Sequence, residues 1–111
     1  MGQSIALLTL AATAAAAITA ERFVGHDGNV ATAAGNTLGV SRSDAATGED
    51  FPVDVIGTTV VEASGAIAVG GAIEVGTAGK AAAQSAGTTV ARALQEATAD
   101  GDRIEVLLIA N

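Results

Sequence analysis

The side chains that could do chemistry are few, and they cluster at glycine turns. His26, the single histidine, precedes Asp27-Gly28. A Ser-His-Asp hydrolase would need Ser4, Ser41, Ser43, Ser64 or Ser85 within reach of it. No G-x-S-x-G elbow presents a nucleophile, so His26 reads as a solvated turn residue. Gly76-Thr77-Ala78-Gly79-Lys80-Ala81 approaches a phosphate loop. It lacks the four-residue gap before Gly-Lys and the hydroxyl residue after it, so it cannot cradle a nucleotide in that way. Glu49, Asp50 and Asp54, and again Asp100, Asp102 and Glu105, offer the oxygen ligands that a hard cation prefers. Neither set follows the D-x-D-x-D-G spacing, and both read as solvated acidic turns. The expectation is no catalytic set, no metal and no cofactor.

Lys80 carries the rival reading. A lysine at a hairpin tip is the attachment point of lipoyl and biotinyl carrier domains, which are also small, two-fold-repeated β structures. Here the flanking residues are Gly79 and Ala81, not the Asp-Lys-Ala or Met-Lys-Met of those carriers. A secreted surface or fibre module is a third reading.

The elements that would position these residues occur twice. Residues 24–29 lie over 75–80 at an offset of 51, Gly35-Asn36-Thr37 over Gly87-Thr88-Thr89 at 52, and Gly48 over Gly101 at 53. Upstream, residues 5–10 lie over 56–61 and Ile18 over Val69, again at 51. A tandem period of this size is a statement about architecture. It predicts one domain, 1–111, with halves of about 5–55 and 56–109. Strands are expected over residues 5–10, 22–25, 29–32, 37–43, 53–61, 72–75, 80–84, 88–95 and 103–109, where β-branched residues gather between glycine turns. Asp27-Gly28 and Ala78-Gly79 predict hairpins of matching type. Pro52 sits where a strand begins. The last strand alternates through Arg103, Ile104, Glu105 and Val106, then turns fully apolar at Leu107, Leu108 and Ile109, which predicts burial at its end. The alanine run at 11–17 tempts a helical reading, but it lacks a charged face and argues for extended or turn structure, with at most one helical turn. The fold class is all-β, a small sandwich or barrel of two similar lobes with little helix.

Composition limits the core. Half of the 111 residues are hydrophobic, yet 27 are Ala and only Phe23 and Phe51 are aromatic, so large buried rings are scarce. A lone subunit should be marginal and should gain stability from neighbours. Without Cys there is no disulfide and no thiolate metal site. A net charge of -7 disfavours a nucleic-acid groove. The first twenty residues imitate a secretory signal, but no Lys or Arg precedes the apolar run, and Thr9, Thr13 and Thr19 interrupt it before it could span a membrane. The segment reads as mature protein and as a possible N-terminal arm, 1–20.

Taken in order, residues 15–25, Leu38-Gly39-Val40-Ser41-Arg42-Ser43-Asp44-Ala45, Gly48-Glu49-Asp50, Val53-Asp54-Val55 and residues 101–108 carry a resemblance across nearly the whole chain. The sequence resembles the capsid cement, or head decoration, family of tailed phages and prophages. The resemblance implies a β-rich virion protein, made in the host cytoplasm, that assembles on the outer surface of the capsid as a homotrimer and bridges neighbouring copies of the major capsid protein. It implies no enzyme, no nucleic acid and no membrane as partner. Ile5, Leu7, Leu8 and Leu10 are the expected contact, able to add a strand to a neighbouring sheet edge or insert as an arm. The alternative is an ordinary internal first strand, since the matching residues 56–61 have no terminus to donate. Arg22, Phe23, Arg42 and Phe51 are the large groups expected to anchor an interface.

Overall fold

The computed structural model describes residues 4–111. Its strands are β1 (Ala6–Thr13), β2 (Phe23–Val24), β3 (Gly39–Ser41), β4 (Asp50–Glu62), β5 (Ala72–Val75), β6 (Ala81–Ala83), β7 (Ala91–Ala93) and β8 (Arg103–Leu108). One 3-10 turn, Thr77–Gly79, is the only helical element among the described residues. The ladders are antiparallel, in the order β2-β3-β4-β8-β7-β5-β6, with β1 attached to β4. The sheet curls into a nearly closed barrel, as the all-β reading expects.

β4 is the spine. Its first half pairs with β1 and β3 and its second half with β8. Gly57 marks the change of partner. With φ +110° it takes a backbone conformation that side-chain-bearing residues rarely adopt, and a Cβ there would lie 2.3 Å from the Ile5 carbonyl oxygen. The β1 ladder shifts register beside it, a bulge that bends the pair.

The internal repeat is written in hydrogen bonds. Ile18 and Ala45 exchange two backbone bonds, as do Ile67 and Ala97. Ala14 N donates to Glu49 O while Gly48 N donates to Ala14 O, and Ala63, Asp102 and Gly101 repeat the same pair of bonds. Glu21 N donates to Ser41 O as Gly70 N does to Ala93 O. These matches place Ile18 over Ile67, not Val69, and set the early offset at 49 where 51 was expected. A slip of two preserves which face each side chain takes, so the sequence pattern looks equally good at both offsets.

Other departures have local causes. Of residues 29–32 only Val30 makes a bridge, to Val24. The two hairpin turns differ: Gly28 alone has positive φ in the first, Ala78 and Gly79 both in the second. The alanine run is extended or turn, as expected: β1 continues to Thr13 and Ala14 is tied to the 48–49 turn. The final strand is reversed from expectation: Ile104, Glu105 and Val106 are buried, whereas Leu107 is 43% exposed.

Two apolar clusters fill the barrel. Ala14, Ile18, Val24, Ala45, Phe51 and Val53 form the smaller one. The larger gathers Val61, Ile67, Ile73, Val75, Ile104 and Val106 of the second half with Phe23 and Val40 of the first, so the lobes share a core. Alanines fill the remaining space, and close backbone approach compensates for the scarcity of rings.

Candidate docking surface

β1 is the exposed apolar element of the molecule. Its one strand neighbour among the described residues is β4, which leaves its far edge open. Ile5 is 56% exposed, Leu7 77%, Leu8 41% and Leu10 41%. Ile56, opposite Leu8 in the ladder, and Leu107, opposite Thr58, extend the strip. Single exposed leucines are ordinary on soluble proteins, whereas several large exposed apolar residues along one strand make a candidate contact surface. No side chain in residues 1–20 is charged, so the strip can be dried without burying an ion.

A fully buried carboxylate holds that strip in place. Asp54 accepts hydrogen bonds from Thr59 Oγ1 at 2.8 Å, Thr9 Oγ1 at 2.9 Å and Ser4 Oγ at 3.2 Å. Arg42 Nε stands 3.6 Å away. Three hydroxyls and a guanidinium on one carboxylate fasten the start of the chain to the middle of β4. Residues 1–3 of the expected arm lie outside the described residues.

At the end of β4 a charge cluster joins the lobes. Glu62 Oε1 is 3.1 Å from Arg22 Nη2 and 3.8 Å from Arg103 Nη2, while Glu62 Oε2 is 3.2 Å from Lys80 Nζ. Arg103 also pairs with Glu21, and Lys80 with Asp100 at 3.0 Å. Burial raises the Glu62 pKa, but hydrogen bonds from Lys80 and Arg22 outweigh it and hold the carboxyl below its ordinary range. Asp100, then Glu62, push the Lys80 amine up. An ammonium held between two carboxylates is a weak nucleophile, which opposes the carrier reading.

The structure separates the residues that sequence grouped as anchors. Phe23 and Phe51 are core residues, 0% and 2% exposed, and cannot reach a partner. Their rings are the largest apolar groups in a chain rich in alanine, and burying them contributes most to the two clusters. Arg22 is engaged with Glu62, and Arg42 keeps half its side chain in solvent. His26 lies exposed in its turn. The acidic residues serve as turn locks: Asp102 accepts from Thr98 and Ala99, Glu49 from Ala46 N, and Asp50 from Thr13 Oγ1. No cluster of three potential metal ligands exists among the described residues. Ile56, Leu107, Asp54 and Glu62 were the missed members of this surface and its support. Only the polar-apolar alternation of β4 could have pointed to Ile56.

The fold has a counterpart of known structure. The head fiber gp8.5 N base of bacteriophage phi29 superposes with a TM-score of 0.75 at 21% identity, covering 92% of this chain and 93% of that one, and so shares its fold. No curated protein matches the chain. The phage cement protein family matches residues 3–108, almost end to end. With its β architecture, its open apolar strand and that match, the chain belongs to the phage cement proteins and is a structural component of the phage capsid.

Proposed function

We propose that this protein decorates the outer surface of a tailed-phage head and cements neighbouring major capsid subunits, working as a homotrimer. The observation that carries the reading is the uncharged strip of Ile5, Leu7, Leu8 and Leu10 on a chain of net charge -7. An acidic body disfavours the DNA-filled interior. The apolar strip supplies a contact that excludes water, and symmetric repetition lets modest contacts add over a whole shell. No reaction is part of the role.

Co-sedimentation with purified heads stripped of this protein tests it. The parent chain is expected to saturate a fixed number of sites on intact heads. Binding to free DNA, or none to heads, would contradict the proposal.

A further inference from the structure

The second lobe is covered where the first is bare, and the cover is part of the chain itself. In the second lobe the strand equivalent to β1 is the end of β4, with Thr13 matched by Glu62 and Ala11 by Val60. Glu62 N donates to Glu21 O at 2.9 Å, so the first-lobe segment Ala20-Glu21-Arg22 lies along the outer edge of β4. Thr59, Val60 and Glu62 are buried or half-buried there, whereas their β1 counterparts Leu10, Ala11 and Thr13 are exposed. The edge of β1 is open among the described residues only up to Thr13: beyond it Ala15 N donates to Gly28 O at 3.0 Å and Gly28 packs against the Thr13 carbonyl oxygen, much as Ser64 N donates to Ala81 O in the second lobe. Ala14 exchanges its bonds with the 48–49 turn, so strand alternation turns the N–H groups of Thr13 and Ala11 away from β4.

The covering segment also occurs twice. Ala20-Glu21-Arg22 is matched by Val69-Gly70-Gly71, which binds Ala93 as its counterpart binds Ser41. In the first lobe this segment is half-buried against β4. In the second it projects, and Val69 is 65% exposed. Gly70 O accepts a bond from Arg92 Nη1 at 3.1 Å, which leaves its second lone pair available.

We propose that a second copy of this chain docks head to tail, its Val69-Gly70-Gly71 segment lying on the edge of β1 at Ala11 and Thr13. The contact repeats the one made inside each chain by Glu21 on Glu62. Charge supports a copy of the same chain as occupant. Residues 1–20 and 63–73 carry no charged side chain, and the charged groups bonded to Thr13 and Gly70 are opposite in sign, Asp50 and Arg92, so two molecules of net charge -7 can meet here. The surfaces differ, so the contact is heterologous, and it closes into a ring or extends according to its rotation. This specifies the self-association of the proposed function and can fail without it.

The chain has no cysteine, so single cysteines report the geometry cleanly. Thr13→Cys and Val69→Cys both alter exposed positions. When the two variants are mixed and oxidised, the expected product is the mixed dimer, at least tenfold over either homodimer. Val69→Asp is expected to weaken association of the otherwise unaltered chain at least tenfold by sedimentation, with unchanged circular dichroism. Thr13→Cys homodimers as the main product would show edge-to-edge pairing and overturn the proposal. No crosslinked dimer would also overturn it, and a monomer that still binds heads would leave the cement role standing.

Discussion

Glu62 and Arg22 meet at 3.1 Å although forty residues separate them in sequence, and their ion pair fastens the residue just before β2 to the end of the shared strand β4. Lys80 and Arg103 close on the same carboxylate, so three of the five basic residues of the chain converge there. The core carries only two rings among its Val, Ile and Ala side chains, and this clasp adds a charged tie between the two lobes.

Glu62→Gln should therefore lower unfolding free energy at pH 7 by about 1–2 kcal/mol, measured by urea titration. The folded-state pKa of Glu62 is depressed, so its stabilisation is complete above its ordinary value of 4.5 and is lost as pH falls through the lower folded value. The variant's stability should fall less steeply than the parent's across that acid range. Equal slopes would show that Glu62 contributes nothing to acid unfolding.

Gly57→Ala should loosen β1. The added methyl would strike the Ile5 carbonyl oxygen, and φ +110° strains any L side chain, at a cost of about 1–3 kcal/mol. Hydrogen exchange should accelerate most in β1 amides, with β7 and β8 less affected. Uniform acceleration would show that the bulge is not a local hinge.

Phe23→Ala and Phe51→Ala should each cost about 3–5 kcal/mol, the loss expected when a fully buried ring is truncated. Against a typical domain stability of about 5–15 kcal/mol, either could unfold the chain at growth temperature. A variant that stayed stable and lost only head binding would place that ring on a surface.

Leu7→Asp should do the opposite. At 77% exposure it should change stability by less than about 0.5 kcal/mol, while a carboxylate in the dried contact reduces head affinity at least tenfold. Unaltered head binding would move the docking surface away from β1.

Much of this fold is legible in the chain. Glycine turns recurring at near-constant spacing predict two β lobes, and the lobes are there. The exact offset is not legible, because a two-residue slip leaves every side chain on its proper face, so Ile18 matches Val69 or Ile67 equally well on paper. Aromatic rings mark interfaces and cores alike, which is why Phe23 and Phe51 suggest a contact surface before the structure places them inside. The exposed leucines of β1 stand out because no charge interrupts them. Glu62 gives no local signal, since its partners arrive from sequence positions 22, 80 and 103 only once both lobes have closed.

Heat release of packaged DNA from phage heads prepared with and without this protein is the most direct measure of a cementing role. Complete heads should hold their DNA at temperatures several degrees above those at which depleted heads fail, and added protein should restore the difference. Depleted heads that withstand heat as well as complete ones, while the added protein still binds them, would contradict it.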